Sequence, residues 1–413
     1  MKKHIEKINY QPKHASGEIN IQLAGRDLII TGGNGCGKTT FLNAMNKYIQ
    51  HTYVEKKHDA KERLLRNLAH WQNQMDQNPK GTSQHAQGEE QCKYALRELN
   101  EYDTGVEITI PDTIGFCALL DEGKAIYKYF IAERKSEINA SSGATKASLD
   151  DKISSNKFQI NAQRLGSEFE NHLVNLKTRQ SFAETYDKDF ELASKLQKWF
   201  DELEKNISIL MEDDSFELKF DSDGFNFLLT QNDKAPYTFQ SLSSGYSSIF
   251  NILSELIMVA EAYKTSPQDM QGIVLIDEID AHLHVSLQRK ILPFLNSLYP
   301  NIQLIVTTHS PFVIGSLDNA VVFDLSSKEE FTDLSNYSYE AIVEGLLGVP
   351  VVSMSLEKDI KRLSGLLSEN TPDVAAVTEL VEKLSPHNDK LDDESAVFLI
   401  KAKMFLRDER KGE

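Results

Sequence analysis

Apolar and polar positions change their period several times along this chain, and each change marks an element. Near the N-terminus "INIQLAG" and "DLIIT" set β-branched and apolar residues around Gly25 and read as two short strands. After a glycine-rich loop, "KTTFLNAMNKYIQ" puts Phe41, Leu42, Met45 and Ile49 on one helical stripe. From about His51 to Tyr102 the chain turns polar. "KHDAKERLLRNLAHWQNQM" and "EEQCKYALRELNEY" have helical character, and "NPKGTSQHAQG" between them reads as a turn or flexible tip. The pair predicts a helical hairpin inserted into the core, far too short for a long coiled-coil arm. "VEITI", "IGFCALL" and "KYFIA" return to strand composition. A loop-like "EINASSGATKAS" then leads into a second helical stretch, from about Ser148 to Met211, that includes "SKLQKWFDELEKNISILM". "FELKF" and "FNFLLT", separated by "DSDG", predict a β-hairpin with Asp-Gly turn chemistry.

The C-terminal third alternates. "GIVLIDE", "IQLIVTTHS" and "AVVFDL" are apolar runs of strand length, and "SLQRKILPFLNSL" between the first two is helical. This order predicts parallel βαβ units with both sheet faces covered. The fold class is therefore α/β, a mixed sheet core with helical insertions. Core pieces are expected at 1–50, 106–134 and 216–326, and insertions at 51–105 and 135–215. An acidic helical region is expected at 327–413, ending in "ESAVFLIKAKMFLRDERKGE".

Composition narrows this little. The 413 residues carry 45 Lys and Arg against 62 Asp and Glu, a formal charge of −17, which argues against a surface that wraps nucleic acid. Lys56, Lys57, Lys61, Arg63 and Arg66 form a local basic set, more simply read as a solvated helix face than as a groove. No apolar run is long enough to cross a bilayer, and "MKKHIEKINY" has no apolar signal region. Cys36, Cys92 and Cys117 lie at neither metal nor disulfide spacing, so a reducing, cytoplasmic location is expected.

Four motifs carry the chemistry. Gly32-Gly33-Asn34-Gly35-Cys36-Gly37-Lys38-Thr39 fits G-x-x-x-x-G-K-[ST], followed by Thr40, between a strand and a helix. Bare amides and a helix N-terminus suit phosphate, Lys38 suits the β- and γ-phosphates, and Thr39 suits Mg²⁺. "IVLIDEID" ends a strand on Asp277, a Mg²⁺ ligand held through water, and Glu278, a base for the attacking water on the opposite strand face. Consecutive carboxylates at a buried strand end call for a compensating cation, unless they are merely exposed at the strand exit. "SLSSGYSSIF" offers Ser243 or Ser244 as a helix cap and Gly245 as a point of close phosphate approach. It reads either as a capped buried helix or as an anion site for the nucleotide of a second subunit. "LIVTTHSPFV" delivers His309 to a strand end, where it can contact a γ-phosphate, and starts a helix at Ser310-Pro311.

In this order, the phosphate loop, "LSSGY", "LIDEID" and "THSP" resemble the ATP-binding-cassette ATPases, with Tyr246 where a glutamine is common. "DEIDAHLH" and "THSP" resemble the soluble RecF/SMC/OLD-like branch, and the layout is similar to stand-alone ATPases of PARIS-type and Septu-type anti-phage systems. The resemblance implies a head-to-tail homodimer, alone or within a larger homo-oligomer, with two Mg·ATP between subunits. Catalytic roles fall to Glu278 and His309, and a separately encoded effector nuclease and a phage-derived or DNA trigger are implied as partners. OLD-type nucleases carry a C-terminal Toprim domain, and the residues after the core are expected to be too few for one, so the resemblance implies that the nuclease is another protein. The alternatives are a DNA-end or repair ATPase and an ATP-dependent scaffold with little turnover. The family's usual Q-loop glutamine is not assigned to a residue; "FIAERKS", with Glu133 and Arg134, stands at about that point in the chain. Tyr10 and His14 are the candidates for stacking adenine.

Overall fold

The strand before the glycine loop, β3 (Asp27–Thr31), is buried at all five positions, as a strand with both faces covered must be. It lies within a six-stranded sheet that also contains β5 (Ala125–Phe130), β8 (Gln271–Ile276), β9 (Ile302–Thr307), β10 (Ala320–Asp324) and β11 (Glu329–Thr332). The order is β11-β10-β3-β9-β8-β5, with every pairing parallel except β10–β11. The computed structural model describes residues 4–12, 17–55, 58–134, 137–141, 143–144, 164–369 and 372–412.

Register positions the site. Ile30 pairs with Thr307 and Ile276 with Val306, so β3, β9 and β8 end level with one another. The loops that follow them therefore meet at one carboxyl edge, where open α/β sheets hold ligands. A second, antiparallel sheet has the order β2-β1-β4, from β1 (Lys7–Tyr10), β2 (Ile19–Gln22) and β4 (Val106–Thr109). Ile8, Ile21 and Ile108 from this sheet pack with Phe41, Leu42 and Met45 of α1 (Lys38–Ile49) and with Tyr127 of β5 in one core. β1 is an element that the hydrophobic pattern alone does not announce.

"IGFCALL" is not a strand. It forms α4 (Thr113–Asp121), because Asp112 caps it by accepting a hydrogen bond from Gly115 N at 2.8 Å. The cap seeds a helical period that buries Phe116 and Leu120, four residues apart. The inserted hairpin is present as α2 (His58–Gln77) and α3 (Ser83–Tyr102). They pack together at Gly88, where a Cβ would sit 2.7 Å from Met75. Within the second helical stretch, α5 (Phe169–Phe182) and α6 (Phe190–Met211) are helical, and residues 145–163 lie outside the described residues. The β-hairpin forms between β6 (Glu217–Asp221) and β7 (Asn226–Thr230), yet its left-handed residue is Phe225, φ +48°, rather than Gly224.

The chain divides into Met1–Tyr339 and Glu340–Glu413. The core sheet thus runs past 326 through β11. The second unit packs α10 (Met354–Leu367), α11 (Val374–Leu384) and α12 (Asp393–Gly412) around Leu363, Val377, Leu380, Leu399 and Ala402.

One glycine holds the edge of the main sheet. Gly272 has φ +141°, and a Cβ there would lie 2.0 Å from the Ile126 carbonyl oxygen, inside the β5–β8 ladder. Gly272→Ala is expected to destabilise the first unit by about 3 kcal/mol or more, since both the backbone and the neighbouring strand must move. A urea titration monitored by circular dichroism checks this; unchanged stability means that the ladder yields freely there.

Candidate nucleotide-binding and hydrolysis site

The glycine loop is built to be lined by its own backbone. Gly32, Gly35 and Gly37 have φ of +135°, +77° and +103°, a region that side chains rarely enter. Beneath the loop, a Cβ on Gly32 would come within 3 Å of Cys36, Asp324 and Ser326. Above it, Gly35 and Gly37 have nothing within 4 Å of where a Cβ would lie. Ser326 Oγ accepts from Gly33 N at 2.8 Å, and Asp324 Oδ1 accepts from Ser326 N at 2.7 Å, so the turn after β10 fixes the loop from behind. Helix α1 opens at Lys38 without a side-chain cap, which leaves its first amides for an anion. Lys38 is 6% exposed, and its ammonium donates to the Gly32 and Gly33 carbonyls at 2.9 and 3.2 Å. Asn34, Thr39 and Thr40 are exposed and Cys36 is half-buried.

The carboxylate pair sits just beyond β8. Asp277 is buried; its N–H donates to the Phe130 carbonyl, and its Oδ1 accepts from Thr307 Oγ1 at 2.5 Å. Strand alternation does not place Glu278, because the strand ends at Ile276 and Glu278 has φ +46°. Its orientation comes from a turn, not from the opposite face of a strand. The Glu278 N–H donates to Thr307 Oγ1 at 2.7 Å, so one hydroxyl ties both acidic residues to the neighbouring strand. Asp280 accepts from Thr308 Oγ1 at 2.6 Å and so extends the same lacing.

The cation that sequence reasoning asked for is partly the chain's own. Arg134 is buried and donates to the carbonyls of Asp277, Glu278 and Ile279 at 2.6, 2.9 and 3.1 Å. Burial brings its pKa down to about 10, against the opposing pull of Asp280, Asp277 and Glu278, and it remains a cation at neutral pH. Sequence alone gives "FIAERKS" no role; its signal is three consecutive charged residues, Glu133, Arg134 and Lys135, at the exit of a buried strand. Tyr129 also borders the pair, its pKa raised to about 12 by burial and then by Asp277, and its hydroxyl donates to Asn43 of α1.

His309 follows β9 at the same carboxyl edge of the sheet. Burial and then the Lys38 ammonium lower its pKa, while Asp280 and Glu278 pull the other way. The net direction is down from about 6.5, so its imidazole is neutral at pH 7. Ser310 caps α9 (Pro311–Ile314), accepting from Phe312 and Val313 N–H, and donates to Gln288 Oε1 at 2.6 Å. Lys38, Glu278 and His309 therefore share one electrostatic neighbourhood at the carboxyl edge of the sheet.

The serine-glycine motif begins α7 (Ser244–Tyr263). Ser243 is the N-cap, but its hydroxyl makes no capping bond, and Ser243 and Ser244 are both exposed. Gly245 serves packing as well as any anion: a Cβ there would sit 2.8 Å from the His282 carbonyl oxygen. Tyr10 does not reach a base. It is buried and stacks on Phe41 with ring centroids 4.6 Å apart. His14 lies outside the described residues, as do Lys56 and Lys57 of the basic set.

The donors suit the expected ligands. Open glycine amides and a buried ammonium fit a polyphosphate. A hydroxyl and a carboxylate, Thr39 and Asp277, are hard oxygen donors of the kind Mg²⁺ takes in company with phosphate. Residues 114–315, just under half of the chain, match the family described as "AAA domain, putative AbiEii toxin, Type IV TA system". The fold is of the P-loop ABC-ATPase type, and the chain is similar to the soluble RecF/SMC/OLD-like branch of these ATPases. The chain is 36% identical to the Retron Ec83 probable ATPase of Escherichia coli over 107 residues, 25% of this chain and 20% of that protein. It is 29% identical to the Septu protein PtuA of Bacillus thuringiensis over 175 residues, 41% of this chain and 42% of that protein. The chain spans less than half the length of each of these curated relatives. Among solved structures, the Smc head bound to the C-winged helix domain of ScpA aligns with a TM-score of 0.37 at 11% identity, over 79% of this chain and 96% of that one. Among the described residues, no helix is long and apolar enough to cross a membrane.

Proposed function

We propose that this ATPase hydrolyses ATP between two copies of itself, as the sensing and regulatory subunit of a bacterial anti-phage system with a separately encoded effector nuclease. The observation that carries the hydrolytic reading is the convergence of Lys38, Glu278 and His309 where β3, β8 and β9 end together. The loop amides and Lys38 bind the triphosphate, with Lys38 exchanging its carbonyl partners for phosphate oxygens. Thr39 and Asp277 would hold Mg²⁺, which would supply charge neutralisation for the bound triphosphate. Glu278 accepts the proton of the attacking water, and neutral His309 donates a hydrogen bond to the γ-phosphate. Ser243, Ser244 and Gly245 of a second copy complete the site, which accords with a cap hydroxyl left unused and exposed. ATP thus closes the dimer, and hydrolysis opens it.

Ser243→Arg tests the shared site, because it adds bulk and charge at the proposed contact without touching the chain's own phosphate loop. Turnover is expected to fall about 100-fold and ATP-dependent dimerisation to vanish, with ATP affinity within about threefold of wild type. Wild-type turnover by a Ser243→Arg monomer sinks the two-copy site. The defence role draws support from the retron and Septu relatives, and is tested by co-purification with the product of the neighbouring gene and by phage plating with and without Lys38→Ala. A DNA-end role instead requires ATPase activity stimulated by DNA in a salt-sensitive way, which the charge of −17 disfavours.

A further inference from the structure

Glu278 carries the reaction's base on a backbone conformation that residues with a Cβ avoid, at φ +46°. Such a conformation persists only where the surroundings over-determine it. Two side chains do so here. Thr307 Oγ1 accepts from the Glu278 N–H at 2.7 Å, and Arg134 Nη2 donates to the Glu278 carbonyl at 2.9 Å. The same guanidinium reaches the residue before, donating from Nη1 to the Asp277 carbonyl at 2.6 Å, and the residue after, donating from Nη2 to the Ile279 carbonyl at 3.1 Å. It also donates to the Ile131 carbonyl in its own segment, at 3.2 Å. Three consecutive carbonyls on one planar fork define a loop more closely than any single bond, and a lysine ammonium does not reproduce that geometry.

The arrangement is expensive. Arg134 is only 5% exposed, and its Nε is buried without a hydrogen-bond partner. An aliphatic side chain would fill the space without desolvating a cation. A buried guanidinium spent on backbone carbonyls is therefore explained by what those carbonyls position.

We propose that Arg134 is a positioning residue for hydrolysis: by holding residues 277–279 it keeps the Glu278 carboxylate aimed at the attacking water. This rests on the reading of Glu278 as the general base. It assigns a role to the segment that stands at about the point in the chain where the family's Q-loop glutamine is expected.

The test uses the full chain with Arg134→Met, Arg134→Gln and Glu278→Gln, alone and combined. It measures kcat, KM, affinity for a non-hydrolysable ATP analogue, and Tm. Arg134→Met is expected to lower kcat about 10- to 100-fold with analogue affinity within about threefold. Arg134→Gln, which keeps a donor of similar reach, is expected to recover part of the loss. In the Glu278→Gln background, Arg134→Met is expected to add no further loss, since the group it positions is already gone. Wild-type kcat in Arg134→Met overturns the proposal. So does an undiminished further loss in the Glu278→Gln background, or a fall in kcat that follows affinity and Tm together. Should Arg134→Met not fold, Arg134→Gln decides alone by the same split between kcat and affinity. If Glu278→Gln itself turns over normally, the assignment of the base fails instead, whatever Arg134 does.

Discussion

Glu278→Gln is expected to lower kcat by about 100- to 1,000-fold while ATP affinity stays near wild type and the ATP-bound dimer accumulates. The amide keeps the size of the side chain and the local backbone bonds, because the contacts that hold residue 278 run through its N–H to Thr307 and its carbonyl to Arg134. What disappears is the proton acceptor. Loss at the chemical step without loss of binding distinguishes a base from a metal ligand, whose removal weakens nucleotide affinity as well. Single-turnover ATPase assays beside light scattering in ATP separate the two outcomes. A Glu278→Gln protein with the wild-type rate removes Glu278 from the chemistry.

Lys38→Ala acts at the opposite end of the cycle. The ammonium is buried and now held by the Gly32 and Gly33 carbonyls, partners that phosphate oxygens replace. Removing it takes away a desolvated charge that pairs with the triphosphate, and ATP affinity is expected to fall about 100-fold or more, near 3 kcal/mol. Folding stability is expected to change little, because in the nucleotide-free protein the cation's desolvation offsets much of what its two carbonyl bonds contribute. Isothermal titration with ATP beside a thermal melt reads both quantities. Undiminished affinity shows that phosphate is held elsewhere; a large drop in Tm shows Lys38 to be a structural cation instead.

Much of the site was legible because its chemistry is local. A glycine loop between strand and helix needs only contiguous residues to make an anion cradle, and Gly32 to Thr39 form one. The apolar runs of β8, β9 and β10 are equally local and announced a parallel sheet correctly. α4 was misread because "IGFCALL" is apolar enough for either element, and Asp112, the cap that decides between them, lies outside the run. Tyr10 offered an aromatic ring near the start of the core, and only packing on Phe41 shows that this ring faces inward.

By itself the sequence determined the glycine loop and the two carboxylates that follow a buried strand, since residue types at fixed short spacings are sufficient to form both. Only the tertiary structure decided how those carboxylates are aimed. The bonds that do so come from Thr307, about thirty residues away, and from Arg134, more than 140 residues away. No periodicity along a chain encodes contacts at that separation; they exist once β5, β8 and β9 lie side by side.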